Sequence, residues 1–389
     1  MKKYLFITPW CPFPPHKNGG VHTIYNILKN KINVEVDLLY YFEKDSDSEY
    51  ETINQGLVSN VKFVDLRNDD SMLSRIKSLI IMQPDLVGQV NHVNLNTFIN
   101  LNLYDVVILD QIYSLPFAVF IPDKIKIISM LHDNMSLMYS RKKTVETSIF
   151  KKIYNDFQCK YYHRIENKFF SRLSRIVFVS ELDANLCKKD HPKYKNIITN
   201  MTLGADVADK KDISTLKVNN SIVFSGVMSY GPNEDAAYYF ATKLFPSIKK
   251  HCPDCIFYIV GKEPSERIKN LETDIPGIVV TGYVDNMVTT ITKASIYISP
   301  LRFGSGTKNK VLEAMAAGMP IVLSPVSREG IDDLEDGVNC IFADTDEAWT
   351  IKILQLFNDD EKLQSLGMRA QEFIISKHSW SKSFYNFTI

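Results

Sequence analysis

The chain has no excess of charge of either sign, since its 389 residues include 45 basic and 45 acidic side chains. That balance excludes a global electrostatic attraction to nucleic acid or to an extended acidic partner. No stretch approaches the roughly 18 uninterrupted apolar residues of a membrane span. The apolar run after the initial MKK is also short, so it predicts a first β-strand rather than a signal peptide. We therefore expect a soluble or peripheral protein of the cytoplasm.

Cysteines are few and scattered, and of the six in the chain only Cys252 and Cys255 are close together. A zinc site would need a second pair of ligands, and this segment offers none. The CPDC sequence falls where a helix end runs into a buried strand, which favours two small apolar residues. A redox or metal-binding pair is the alternative.

Short apolar runs alternate with helical patterns along the whole chain. Continuous apolar runs with helices between them indicate buried, mostly parallel strands. The first half contains YLFITPW, VEVDLLYYF, VKFVDL, DVVILDQ, KIKIISMLHD, RIVFVS and NIITN, and the second half SIVFSG, IFYIVG, GIVVTGY, SIYISP, MPIVLS and NCIFAD. Because 389 residues exceed one ordinary core, we predict an α/β protein with two Rossmann-like domains.

A polar segment without periodicity separates the two sets of strands. It predicts an N-terminal domain over 1–206, a linker over 207–220 and a C-terminal domain over 221–376. The remaining residues, 377–389, are predicted to form a last helix after a break near His378. Ligands of such proteins bind at the carboxyl ends of the strands, so we expect the site in the cleft between the domains.

Residues 299–322, SPLRFGSGTKNKVLEAMAAGMPIV, place a glycine-rich turn directly before a helix. Gly304 and Gly306 permit turn conformations that a side chain would hinder. Either Ser305 or Thr307 is expected to cap the helix that follows. A turn of this kind at a helix N-terminus is typical of sites that bind an anion.

The helix after this turn carries the groups that a nucleotide would need. Its N-terminus bears partial positive charge, and Arg302, Lys308 and Lys310 supply full charges, which together predict a cradle for a diphosphate. Lys310 and Glu313 are three residues apart and therefore share one helical face. A carboxylate there could accept two hydrogen bonds from a ribose diol. The alternative is an ordinary strand, turn and helix in which Glu313 is solvated.

This segment resembles the donor site of the GT-B glycosyltransferases called family 4, or group 1. The resemblance implies two Rossmann-like domains that face each other across a cleft. It also implies that Glu313 holds the ribose of a nucleoside-diphosphate sugar, while the glycine-rich turn faces the phosphates and the sugar. Most members have a further glutamate where this chain has Ser305, whereas a sub-group with a G-S-G-T version of the motif is similar to this chain. That change leaves the donor sugar open, because serine cannot orient a sugar with a formal charge.

The resemblance extends to the end of the chain. In this family the final helix crosses back onto the N-terminal domain, where Trp380, Phe384 and Tyr385 would anchor it. A helix that packs on its own domain is the alternative.

Further segments resemble other parts of the family's site. His132, at the end of a buried strand, corresponds to a strand-end histidine that hydrogen-bonds the donor sugar or its phosphate, and Asp133 would orient it or contact an acceptor hydroxyl. The Arg and Lys pair that usually neutralises the diphosphate is missing, so other cations must replace it. The remaining donor-binding candidates are Gly19 and Gly20 after the first strand, Gly226 and Lys262 in the second domain, and Tyr283 and Val284, whose backbone would hold the base.

Residues 141–175 contain ten Lys or Arg against three acids, with apolar residues three and four apart. This spacing predicts one long amphipathic helix. Such a helix could lie on an anionic membrane, where lipid-linked acceptors are found. The alternative is that the apolar stripe belongs to the core and that the charges are solvated.

With this resemblance, the chain is expected to be a retaining, metal-independent glycosyltransferase. It would move a sugar from a nucleoside-diphosphate donor, UDP or GDP, to a carbohydrate or lipid-linked saccharide acceptor in bacterial surface polysaccharide or glycolipid synthesis. We expect no metal, no cofactor beyond this co-substrate and no nucleic acid partner. Two alternatives remain open: a GT-B sugar-nucleotide epimerase, and a non-catalytic partner of an active transferase.

Overall fold

The computed structural model describes residues 1–13, 19–41, 56–64, 94–209, 211–214 and 216–380. These residues form two compact units, one that ends at Thr202 and one that begins at Leu203. A last helix was predicted over 377–389. Residues 381–389, which include Phe384 and Tyr385, lie outside the described residues. The predicted domain limits and linker stay predictions.

The first unit contains a seven-stranded sheet in which neighbouring strands are parallel, in the order β3-β2-β1-β4-β5-β6-β7. Its strands are β1 (Lys2–Thr8), β2 (Val34–Tyr40), β3 (Asn60–Phe63), β4 (Val106–Asp110), β5 (Lys126–Leu131), β6 (Arg175–Phe178) and β7 (Ile198–Asn200). The strand order reverses between β1 and β4, which creates a topological switch point at their carboxyl ends.

The second unit repeats this plan with six parallel strands in the order β10-β9-β8-β11-β12-β13. They are β8 (Ser221–Ser225), β9 (Ile256–Val260), β10 (Ile278–Gly282), β11 (Ile296–Ser299), β12 (Ile321–Leu323) and β13 (Ile341–Phe342). Here the order reverses between β8 and β11. All thirteen predicted strands are therefore observed, and the α/β class is confirmed.

Helices cover the faces of both sheets, which explains why the strands are nearly continuous apolar runs. In the described residues the α-helices are α1 (Gly19–Lys29), α2 (Met135–Val145), α3 (Ile149–Phe169), α4 (Glu181–Asp190), α5 (Gly231–Tyr239), α6 (Phe245–His251), α7 (Glu266–Lys269), α8 (Leu271–Asp274), α9 (Met287–Ile291), α10 (Asn309–Ala316), α11 (Pro325–Arg328), α12 (Asp346–Phe357) and α13 (Asp360–Lys377). No helix in these parts of the chain is both long and apolar enough to cross a membrane.

The prediction of one long helix over 141–175 is wrong, because the helix is interrupted between α2 and α3. Glu146 is extended at the break, and its side chain accepts hydrogen bonds from the backbone N–H groups of Thr147 and Ser148, at 3.0 and 3.2 Å. Side-chain bonds of this kind compete with helix formation. The two helices can then pack side by side, with Tyr139 stacked on Tyr162 at 5.6 Å between ring centroids.

Glycines allow α13 to pack very closely on the end of α10. A Cβ atom added to Gly367 would lie only 2.3 Å from the carbonyl oxygen of Gly318, which directly follows α10. One turn further along α13, Gln371 donates a hydrogen bond to the carbonyl oxygen of Ala316 at 3.0 Å. This contact therefore fixes the carboxyl end of α10 against α13.

The described end of the chain is tied to the first residues of the second unit. His378 Nδ1 lies 2.9 Å from the carbonyl oxygen of Leu203, and Ala205 N–H donates to the carbonyl oxygen of His378 at 3.0 Å. Trp380 is buried against Gly204, where a Cβ would lie 2.7 Å from its ring. Trp380 thus packs within the second unit.

Candidate functional site

Three polar side chains meet at the switch point of the first sheet. Thr8 ends β1, Asp110 ends β4, and His132 directly follows β5. Asp110 is fully buried and accepts two hydrogen bonds, from Thr8 Oγ1 at 2.9 Å and from His132 Nε2 at 2.8 Å. A buried carboxylate is stable only with such partners, so Asp110 fixes the orientation of the histidine ring.

Asp110 was not among the predicted site residues. The signal that could have found it is its position, since DVVILDQ ends with an acidic residue where a buried strand should end. The next residue, Gln111, has a positive φ of 62°, which is uncommon for a residue with a side chain. Its N–H donates to the carbonyl oxygen of Met130 at 2.7 Å, which holds this sharp exit from β4 in place.

Two opposing effects act on the pKa of His132. Burial lowers this pKa, but the carboxylates of Asp110 and Asp133 outweigh burial and raise it above its ordinary value. Nε2 faces Asp110, whereas Nδ1 has no hydrogen-bond partner among the described residues. The ring therefore retains its proton nearer to neutral pH and can offer Nδ1–H to an oxygen of a ligand.

The other candidates of the first unit also lie near strand ends. Asp133 follows His132 and is half-buried. Gly19 and Gly20 are the first two residues of α1, the helix that comes after β1. Thr23 Oγ1 donates to the carbonyl oxygen of Gly19 at 2.9 Å.

In the second unit, Gly226 and Lys310 meet at the switch point between β8 and β11. Lys310 Nζ donates a hydrogen bond to Asn233 Oδ1, and Asn233 Nδ2 donates to the carbonyl oxygen of Val227 at 2.9 Å. A Cβ on Gly226 would lie 2.5 Å from Asn233 Nδ2 and 3.2 Å from Lys310 Nζ. Position 226 therefore needs glycine to admit these two side chains.

Lys310 is half-buried and is the second residue of α10. Its ammonium lies 4.9 Å from the centroid of the Phe224 ring, a cation–π distance. Burial lowers the pKa of Lys310 to about 7, although the nearby Glu313 carboxylate acts in the opposite direction. A lysine in this state gains its full charge when an anion binds beside it.

Glu313 is the exposed residue of α10, surrounded in sequence by buried ones. No hydrogen bond or ion pair within the described residues involves its carboxylate. Burial and the nearby Glu313 carboxylate raise the pKa of Tyr297, whose hydroxyl lies 2.8 Å from Ser225 Oγ. The carboxylate is therefore available to accept hydrogen bonds from a ligand.

The turn before α10 differs from the prediction in its capping. The N-cap residue is Lys308, without a side-chain cap, so the expected role of Ser305 or Thr307 is wrong. Thr307 Oγ1 instead donates to the carbonyl oxygen of Gly330 at 3.0 Å, and Ser305 is buried. Both hydroxyls lie in the turn itself, where Gly306 has a φ of 69°, in the left-handed region that glycine favours.

The cations predicted to face a diphosphate differ in their surroundings. Arg302 forms a bidentate ion pair with Asp235 of α5, with N–O distances of 2.9 and 2.5 Å. Lys308 is buried and donates to the carbonyl oxygen of Gly306 at 2.6 Å. Lys262 Nζ lies 3.7 Å from Glu263. Lys310 donates to the side-chain amide oxygen of Asn233.

The last two candidates follow β10. Tyr283 is 73% exposed, and Val284 is half-buried. The register of β10 shifts between Val280 and Gly282, which marks an irregular strand end directly before them. An irregular end of this kind leaves backbone groups outside the ladder, as binding of a base through the backbone requires.

Comparison with known proteins finds a family match within the second unit. Residues 219–359 match the model of the family described as Glycosyl transferases group 1. The uncharacterised glycosyltransferase MJ1069 of Methanocaldococcus jannaschii is 36% identical over 136 residues, which cover 33% of this chain and 34% of that protein. An uncharacterised 44.6 kDa protein in the cps region of Klebsiella pneumoniae is 21% identical over 99% of this chain and 98% of its own length.

The whole chain is similar in structure to TarM of S. aureus. The TM-score is 0.71 at 14% sequence identity, over 100% of this chain and 99% of TarM, and this likeness supports the GT-B fold. A variant of TarM is solved in complex with fondaparinux, α-GlcNAc-glycerol and UDP. The enzyme class predicted from the sequence is confirmed by the domain match. The chain thus has the GT-B fold, and its residues 219–359 match the family model of glycosyl transferases group 1.

Proposed function

We propose that the chain is a retaining, metal-independent glycosyltransferase that transfers a sugar from a nucleoside-diphosphate sugar to an acceptor hydroxyl. The observation that carries the proposal is the pair of Lys310 and Glu313 at the switch point of a glycosyltransferase group 1 domain. Lys310 supplies a cation for the diphosphate, and Glu313 supplies two acceptor oxygens for the ribose diol.

The proposed chemistry requires little from the protein beyond stabilising charge. As the bond between sugar and phosphate breaks, negative charge grows on the diphosphate, which then helps to remove the acceptor proton. The N-terminus of α10 and Lys310 stabilise that charge, and His132 donates Nδ1–H to the donor sugar or its phosphate. Within its own unit, His132 is held by Asp110, and Lys310 is held by Asn233.

The donor base and the pathway are proposed from the relatives. TarM is solved with UDP, which supports UDP over GDP as the first donor to test. The Klebsiella protein in a cps region and the saccharides bound by TarM support a saccharide acceptor in surface polysaccharide synthesis. Ser305 stands where many members have a glutamate, so the donor sugar is left to experiment.

The proposal is tested by thermal unfolding of the chain with UDP-, GDP-, ADP- and CMP-sugars, followed by assay of the stabilising donor. A ligand that binds only the folded state raises its melting temperature. We expect one UDP-sugar to stabilise the protein and to release UDP slowly. A free epimerised sugar nucleotide, formed without acceptor, would instead support an epimerase. No protection by any sugar nucleotide would contradict the proposal and leave the non-catalytic partner.

Donor affinity is expected to fall as pH rises through neutrality. The pKa of Lys310 is about 7 in the free protein, and a bound diphosphate raises it, so binding at higher pH requires proton uptake. Between pH 6.5 and 8.5 the Kd should increase roughly 10-fold or more, as measured by calorimetry with the stabilising UDP-sugar. A sugar nucleotide itself does not titrate in this range.

The matched variant for this prediction is Lys310→Met. It should bind the donor more weakly at pH 6.5 and lose most of the pH dependence. Because it removes a desolvated cation, it should not lower the melting temperature of the free protein. A pH dependence that persists in Lys310→Met would exclude Lys310 as its source.

We also propose that the first turns of α3 lie on an anionic membrane surface. Ile149, Phe150, Ile153 and Tyr154 occupy neighbouring positions of the helix and are 67, 82, 61 and 45% exposed. Lysines surround them, and the side chain of Lys151 is 71% exposed. Aromatic and aliphatic side chains edged by lysines are typical of interfacial helices. The rest of α3 buries Tyr162, Ile165 and Phe169. In that part of the helix, the apolar side chains belong to the core.

Sedimentation with lipid vesicles tests this contact. The chain should sediment with vesicles of phosphatidylcholine and about one-third phosphatidylglycerol and much less with pure phosphatidylcholine. Replacing Phe150 and Ile153 together with serine should weaken binding at least about 10-fold, since each apolar side chain contributes roughly 1.5–3 kcal/mol when buried. The control is Ile351→Ser, at a residue 54% exposed in the second unit. Equal sedimentation of all three proteins would contradict the proposal.

A further inference from the structure

A cluster of two histidines and a glutamate lies in the first unit, on elements that the proposed reaction does not use. His163 and Glu166 are one turn apart on α3, and His191 directly follows α4. One ligand atom from each of the three lies within 4.8 Å of the others. Glu166 Oε2 is 2.9 Å from His191 Nε2 and 3.7 Å from His163 Nδ1.

The carboxylate of this cluster needs a positive charge nearby. Its side chain is only 3% exposed, and burying an unpaired carboxylate is very costly. Among the described residues, the ion pairs of Glu166 are those with the two histidines, and no lysine or arginine pairs with it. A cation bound between the carboxylate and the two imidazole rings would supply that charge.

The His191 ring is held in place by its neighbours. Nε2 faces Glu166 Oε2, and Nδ1 lies 3.2 Å from Asn167 Oδ1, so both ring nitrogens face oxygen atoms. The ring also stacks on His163, with 4.6 Å between centroids and 25° between planes.

We infer that His163, Glu166 and His191 bind one zinc ion. Two imidazole nitrogens and one carboxylate oxygen are a common zinc ligand set, and the ligand atoms of a tetrahedral site are about 3.3 Å apart. The separations of 2.9 and 3.7 Å bracket that value. His191 would donate Nδ1–H to Asn167 Oδ1, which orients the ring toward the metal.

The exposed fractions of the three side chains are consistent with a fourth coordination position that is open to solvent. The side chain of His163 is 44% exposed, whereas those of Glu166 and His191 are almost fully buried. A water molecule can therefore complete the coordination from the side of His163. Because the ligands come from α3 and from the end of α4, the metal would join these two helices and stabilise the first unit.

The experiment uses the untagged full chain, stripped of metal with a chelator, and titrates it with ZnCl2 by calorimetry and thermal unfolding. We expect one zinc ion per chain and a higher melting temperature in its presence. His163→Ala removes the exposed ligand and keeps the Glu166–His191 pair, so this variant should fold. It should bind zinc at least about 100-fold more weakly, because even residues behind the ligands contribute 10- to 100-fold.

The control is His251→Ala, because His251 lies beside Cys252 in the second unit and could take part in adventitious binding. This variant should bind zinc as the natural chain does. Cobalt(II) provides a second readout, since its visible absorption reports coordination by the protein. Zinc binding that is absent from the natural chain, or unchanged in His163→Ala, would overturn the inference.

Discussion

Replacing His132 with alanine is expected to lower kcat by about 10²–10³-fold, the usual cost of losing one donor to developing negative charge. The proposed role of Nδ1–H is to stabilise the transferred sugar or its phosphate, so the loss should appear mainly in kcat and less in donor binding. The measurement is the initial rate of UDP release at saturating donor, with thermal unfolding as a check on the fold. A kcat within a few-fold of the natural chain would exclude this role for His132.

Asp110→Asn tests whether the buried carboxylate acts through the histidine. Asparagine can still accept the hydrogen bond, but it removes the negative charge that raises the pKa of His132. The decline in rate at high pH should therefore begin at a lower pH in this variant. Asp123→Asn is the matched control, since Asp123 is an exposed aspartate of the same unit, paired with Arg172. A pH–rate profile identical to that of the natural chain would show that Asp110 has only a structural role.

Replacing Glu313 with alanine is expected to abolish most donor binding. Two hydrogen bonds from a ribose diol to a carboxylate amount to about 3 kcal/mol, or roughly a 100-fold increase in Kd. A donor at about 100 times its Kd stabilises the natural chain by about 2.7 kcal/mol and would stabilise the variant by only about 0.4 kcal/mol. Thermal unfolding with and without the donor measures this difference directly.

The fold of the Glu313→Ala variant should be unaffected, because the side chain is exposed and alanine favours a helix. Glu372→Ala, at an exposed position of α13, is the control for the same replacement away from the motif. Glu313→Gln should lie between the two, because an amide keeps one acceptor oxygen without the charge. Equal donor protection of Glu313→Ala and the control would exclude Glu313 from the donor site.

The strands could be predicted from the sequence because a buried parallel strand needs apolar residues on both faces, and local composition reveals this. The break between α2 and α3 could not, because no proline or glycine marks it and it depends on the Glu146 side chain, which bonds to backbone groups at that point. Side-chain hydrogen bonds of this kind leave no periodic signal.

Site residues that belong to a sequence motif could be predicted. The pairing of a site residue with a partner far away in the sequence could not. Asp110 pairs with Thr8, 102 positions away, and that contact exists only because β1 and β4 are neighbours in the sheet. Arg302 likewise forms its ion pair with Asp235, which is 67 positions away. Composition near Arg302 gave no indication of this pair.

The contact between Gly367 and Gly318 has a consequence for how substitutions far from the chemistry affect this protein. The backbone of α13 reaches the end of α10 so closely that even one methyl group at position 367 has no room. An alanine there would displace the helix that carries Glu313, although Gly367 itself lies in a different helix, 54 positions further along the chain. A genetic screen for lost activity should therefore recover this glycine among its hits. The residue at position 367 of α13 is therefore constrained by its packing against the end of α10 rather than by contact with a substrate.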